Sequence, residues 1–105
     1  MANRQRQVVW AAAALAAPHE ATEYLAEHSQ PAAVRLADTA LSVAAGLASF
    51  ATRGRIVPEL CDDSIREAFV FRYRLMYRVE ADRVTIVGFV HGARDFARWR
   101  RNPSD

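Results

Sequence analysis

The sequence predicts an α+β fold: a helical hairpin packed on one face of a small, mainly antiparallel twisted sheet, in the order β-α-α-β-β-β. Three features point there. Residues 71–79 alternate strictly, with Arg72, Arg74, Met76 and Arg78 on one side and Phe71, Tyr73, Leu75, Tyr77 and Val79 on the other. Residues 83–91 form a second β-branched run, set off from the first by Ala81-Asp82. Between Ala11 and Phe50 the composition switches to helix formers, chiefly Ala and Leu.

In chain order, Arg6 to Trp10 (RQVVW) reads as a short strand by its β-branched and aromatic content. Ala12 to about Glu27 reads as a helix with Leu15, Thr22, Leu25, His19 and Ala26 near its inward stripe. Pro18 predicts a kink there, or a helix that begins near it. Ser29 is a candidate N-cap for a second helix, with Pro31 in its first turn. That helix should run to about Phe50, with Val34, Leu36, Ala40, Leu41, Val43, Ala44 and Leu47 on its apolar face. Gly54 is a candidate helix stop, and 56–63 reads as a loop around Pro58. Strands follow over 64–70, 72–80 and 83–91. The whole, 1–105, reads as one domain with 1–5 and 101–105 loose.

The net charge of +2 hides an asymmetry. Residues 53–101 hold eleven Arg against seven acids, and residues 1–52 hold three against four. No Lys is present, which excludes a lysine general base; Arg instead forks onto phosphates and carboxylates. The single Cys61 excludes an internal disulfide and a multi-cysteine metal site, and fits a reducing cytoplasm. No run reaches the roughly 18 apolar residues of a membrane span. Arg4 and Arg6 before VVWAAAALAA mimic a short signal peptide, but its removal would strip away Trp10 and its strand. No phosphate loop, nucleophile elbow or dinucleotide fingerprint is present, and no cofactor or metal is expected.

With Ala81-Asp82 as the turn, Glu80 pairs with Arg83, Arg78 with Thr85, Met76 with Val87, Arg74 with Phe89 and Arg72 with His91. Arg74, Arg78, Phe89 and His91 then share one face, while Tyr73, Leu75, Tyr77, Ile86 and Val90 meet the helices. A one-residue bulge would break these pairs. If Phe71-Arg72 is the preceding turn, Glu67 and Phe69 join the arginine face, with Glu67 beside Met76 and diagonal to Arg74. That face reads either as a solvated outer surface with cross-strand ion pairs or as an anion-binding surface for phosphate or an acidic peptide. Glu59 reads in the same two ways, its structural role being to pair with Arg53 or Arg55.

VVW at 8–10, EATEYLAE, SQPAAVRLADTAL, RGRIVPEL at 53–60, IRE at 65–67, YRLMYRV at 73–79 and VTIVGFVHGARD at 84–95 together resemble toxins of the RelE/ParE superfamily of bacterial type II toxin–antitoxin systems. The resemblance implies a cognate antitoxin as partner, a toxin–antitoxin hetero-oligomer, and growth arrest in the cytoplasm without a membrane. RelE-like members are ribosome-dependent mRNA endonucleases, and ParE-like members poison DNA gyrase; a third alternative is a module that binds its antitoxin without being toxic. Glu59, Arg74 and His91 match the Glu, Arg and His of the YoeB-type nucleases. They would act as base for the 2′-OH, cation for the phosphorane and acid for the leaving oxygen, in a metal-independent reaction. His91-Gly-Ala-Arg-Asp95 is similar to the H-x-x-x-D ending of ParE-like strands. Gly92 stands where the nucleases carry an aromatic residue, which points to docking rather than cleavage. For docking to a target or an antitoxin, the candidates are Arg72, Arg78, Phe89, Arg94, Arg98 and Trp99.

Overall fold

The structure is a computed structural model, and it describes residues 5–92. Its elements are β1 (Gln7–Trp10), α1 (Ala12–Ala26), α2 (Gln30–Gly46), β2 (Arg55–Ile56), β3 (Ile65–Val70), β4 (Tyr73–Val79) and β5 (Arg83–His91). They form two helices on a five-stranded sheet of order β1-β5-β4-β3-β2. β1 lies parallel to β5, and every other neighbour is antiparallel. A parallel pair needs a long crossover, and the helical hairpin is part of the connection from β1 to the other strands. The two-residue β2 occupies the start of the expected loop.

α1 starts at Ala12 and runs through Pro18 rather than beginning there. Its entry is fixed by the sheet. The Ala11 amide donates to the Ile86 carbonyl at 3.0 Å, continuing the β1–β5 pairing, and Leu15 N–H then returns to Ala11. The inward stripe is Ala14, which is buried, with Ala17, Ala21 and the expected Leu25 half-buried; Ala14 takes the place expected of Leu15, which is exposed. α2 begins as expected: Ser29 Oγ accepts from Ala32 N–H at 3.3 Å, and Pro31 sits in the first turn. It buries Ala33, Leu36, Ala40 and Ala44, while Val34 and Leu41 face outward. The helix ends at Gly46, short of Phe50 and well before Gly54.

Between helices and sheet lies the main core, including Leu36, Leu47, Val70, Leu75, Tyr77, Ile86 and Phe89. Full burial of a side chain such as Leu47 or Leu75 contributes roughly 1.5–3 kcal/mol. The opposite face is covered as well. Residues 57–64 fold over it, and Val57, Ile65, Met76, Val87 and Val90 form a second, smaller core with Leu60 packed against it. The arginine face is therefore roofed at its centre, not open as the sequence suggested.

The expected turns are present, at Ala81-Asp82 and at Phe71-Arg72. Arg78 pairs with Thr85 and Glu67 with Met76 as the alternation predicts. The register then slips between Met76 and Tyr77: Tyr77 pairs with Ile86 but Met76 pairs with Gly88, leaving Val87 as the extra residue of a β-bulge. Beyond it every expected pair moves by one. Phe89 lies opposite Leu75, Val90 opposite Arg74, and His91 opposite Tyr73. Phe89 and His91 change to the helix side, and Val90 changes to the arginine side.

Candidate functional site

The roof over the arginine face is pinned by a chain of charges. Arg74, from the middle of β4, is 5% exposed. Its two terminal nitrogens donate to the Glu59 carboxylate at 3.0 and 2.8 Å, and its Nε donates to Glu67 at 2.6 Å. The second Glu67 oxygen accepts from Arg55 Nε at 2.5 Å. Two guanidinium groups and two carboxylates thus alternate as Arg55, Glu67, Arg74, Glu59. Glu67 is the buried centre, its side chain fully enclosed. A carboxylate so desolvated requires this pairing, since an unpaired buried charge costs several kcal/mol. Arg55 also lies over the Phe69 ring, 5.3 Å from its centroid, which supports the planar cation from beside.

The electrostatics follow from the pairing. Hydrogen bonding to Arg74 holds the Glu59 carboxyl below its ordinary range. The same bond raises Arg74 above its own. Glu59 is thus a weaker base than a free carboxylate, and Arg74 spends its fork on a protein anion. The expected partners of Glu59, Arg53 and Arg55, give way to Arg74, because the 57–64 turn lays Glu59 across β4.

Gly54 serves the same corner. It approaches so closely that a Cβ would overlap the Glu67 carbonyl and the Tyr77 hydroxyl. Its N–H donates to Tyr77 Oη at 3.1 Å. Burial raises the Tyr77 hydroxyl pKa. The glycine is needed for close backbone approach and does not stop a helix.

His91 is elsewhere. The bulge puts it on the helix side at the end of β5, edge-on to Tyr73 with ring centroids 5.2 Å apart. The structure brings Glu59 and Arg74 together and leaves His91 on the other side of the sheet. Phe89 is in the main core, stacked on Tyr73 at 4.8 Å, and is not at a surface. Arg78 is half-buried. Nearby, the Asp62 carboxyl is lowered mainly by the Ser64 hydroxyl and amide, with Arg78 adding a weaker attraction. Arg72 is exposed beside His91 in a cleft that the sequence reading did not identify. Arg94, Arg98 and Trp99 lie outside the described residues. Among the described residues no His, Cys, Asp or Glu group is arranged to hold a metal, and no helix is long and apolar enough to cross a membrane.

Among solved structures, a chain of the chromosomal ParDE TA system from P. aeruginosa matches this fold with a TM-score of 0.70. The two are 14% identical, and the match covers 85% of this chain and 98% of that one. No curated protein sequence matches the chain. The family model described as "ParE toxin of type II toxin-antitoxin system, parDE" matches residues 8–96. That span takes in both helices and every strand but the first residue of β1, so the chain belongs to the ParE toxin family of type II toxin–antitoxin systems.

Proposed function

We propose that this toxin arrests growth by binding DNA gyrase, and that a cognate antitoxin binds and silences it in the cytoplasm as a hetero-oligomer. The observation that carries docking over cutting is the separation of His91 from the Glu59–Arg74 pair by the sheet. RNA cleavage by 2′-OH attack needs base, cation and acid around one phosphate. Here the acid candidate faces the helices, and the base and cation candidates neutralise each other. Family membership supports the same reading, and no cofactor or metal is required. Arg72 and Arg78, with Arg94, Arg98 and Trp99, are the proposed contacts. The test is inducible expression with DNA and protein synthesis followed separately, alongside supercoiling by purified gyrase. Early loss of DNA synthesis, filamentation and inhibited supercoiling support the proposal. Early loss of translation with gyrase unaffected rejects it.

One observation favours the ribosome-dependent endonuclease as a second reading: Glu59 and Arg74 do meet, and the Glu59 side chain is 37% exposed. A displaced Glu59 would bare the guanidinium. In that case His91→Gln abolishes mRNA cleavage in a translating extract and leaves antitoxin affinity unchanged. A variant that still cleaves removes His91 from the reaction.

A further inference from the structure

At the end of the sheet where β5 finishes, a cleft of about 600 Å³ opens between the helical hairpin and the β3–β4 turn. Arg35 enters it from α2, Arg72 from the turn, and His91 from β5; Tyr24, Phe71 and Tyr73 supply aromatic walls. None of the described residues that line it is acidic. Among the described residues neither Arg35 nor Arg72 pairs with a carboxylate, whereas Arg55, Arg74 and Arg83 all do. Among the described residues Arg6, Arg53, Arg66 and Arg78 also lack a carboxylate ion pair, so what sets the cleft apart is two such cations beside exposed aromatic rings.

The aromatic side is equally unusual. Phe71 takes a φ of +54°, a left-handed conformation that a bulky side chain adopts only under strain. The strained residue is not buried in return: Phe71 is 58% exposed and Tyr24 is 63% exposed. The turn is held in this form by the Gly92 amide, which donates to the Arg72 carbonyl at 2.9 Å. That bond ties the end of β5 to the turn and sets Arg72 beside His91.

Guanidinium groups that fork onto phosphate, next to exposed aromatic faces on which a base can stack, are the complementary halves of a nucleotide site. We propose that this cleft binds a nucleotide, its phosphate held by Arg35 and Arg72 and its base stacked on Phe71 or Tyr24. An acidic peptide would use the cations but would have no specific need for the exposed ring faces. The site is on the opposite side of the sheet from the Glu59–Arg74 pair and does not depend on which cellular target the toxin has.

The test is fluorescence anisotropy with the purified toxin and a short 5′-labelled single-stranded oligonucleotide, with a free 5′-mononucleotide as competitor. Wild-type protein should bind, and Arg35→Gln/Arg72→Gln should weaken binding and reduce the salt slope by about 1.4, as expected for two lost phosphate contacts on a single strand. Phe71→Asn keeps a residue that tolerates positive φ and removes the ring; it should weaken binding about tenfold with the salt slope unchanged. Competition by the mononucleotide assigns the site to free nucleotides, and its failure to compete assigns it to nucleic-acid strands. All substituted side chains are exposed, so melting curves should show the variants folded. The proposal is overturned by absence of binding, or by binding that keeps its affinity and salt slope in the double variant. It is equally overturned if a polyglutamate peptide binds as well as the oligonucleotide and is lost on the same substitutions.

Discussion

Arg74 grips Glu59 in a two-point fork, at 3.0 and 2.8 Å, and this contact ties the 57–64 segment to the sheet it covers. It carries a warning for mutagenesis, because the residue most attractive as a catalytic cation also holds the fold. Arg74→Ala leaves Glu67 enclosed with Arg55 as its remaining ion-pair partner. We expect a loss of about 3 kcal/mol, the lower end for breaking a buried pair, because Arg55 still neutralises the carboxylate. Urea denaturation at neutral pH measures it. A loss below about 1 kcal/mol would mean that the roof is held by Val57 and Leu60 rather than by charge.

The same fork gives a pH dependence. Hydrogen bonding to Arg74 lowers Glu59 below its ordinary value of 4.5, so the folded state favours the ionised form. The stabilisation is complete above that unfolded value and disappears as pH falls through the lower folded value. The Glu59 side chain is 37% exposed, so water screens the pair and the contribution is at most about 1 kcal/mol. Glu59→Gln should start less stable at neutral pH and lose less between about pH 5 and pH 3 than the wild type. Parallel pH profiles would assign the acid sensitivity to other carboxylates, Asp62 among them.

Gly54→Ala should be destabilising by about 1–3 kcal/mol, because the added methyl meets both the Glu67 carbonyl and the Tyr77 hydroxyl. Removing the hydroxyl as well, in Gly54→Ala/Tyr77→Phe, should recover only part of this. The carbonyl is backbone and cannot swing aside, and the Gly54 amide loses its acceptor. Full recovery in thermal melts would show that the side chain, not the strand, sets the limit.

Much of this architecture was legible in the sequence because it rests on local rules. Ser29 and Pro31 mark the start of α2, the 71–79 alternation marks β4, and Ala81-Asp82 marks the turn. Glu67 beside Met76 follows from the alternation once the turn is placed at Phe71-Arg72. Errors arose where a tertiary contact overrides a local one. Ala14 displaced Leu15 because small residues let α1 sit close on the sheet. The roof was missed because a covering loop has no periodicity. The site partition failed at one residue. Gly88, isolated in the apolar run VTIVGFV, was the available signal of a bulge. Nothing in the sequence joins Arg35 to Phe71, because a helix and a turn that converge on one cleft share no sequence pattern.

The bulge itself can be tested by deletion. In the observed register Val87 is the extra residue, so removing it closes β4 and β5 into a regular ladder that keeps Met76 opposite Gly88, Leu75 opposite Phe89 and Tyr73 opposite His91. The faces are preserved. The cost is the buried Val87 side chain, about 2 kcal/mol, plus any change in local twist. The deletion variant should therefore unfold cooperatively, at a lower urea midpoint, with a stability close to that of Val87→Ala. In a bulge-free ladder, with Phe89 on the face of Arg74, the same deletion would turn every side chain from Gly88 onward to the opposite face and misplace both cores. A reversal of that kind should cost at least as much as removing Phe89 from the core it occupies, about 3–5 kcal/mol for Phe89→Ala. A deletion variant that is as damaged as Phe89→Ala, or fails to fold, would contradict the bulge and return His91 to the face of Arg74.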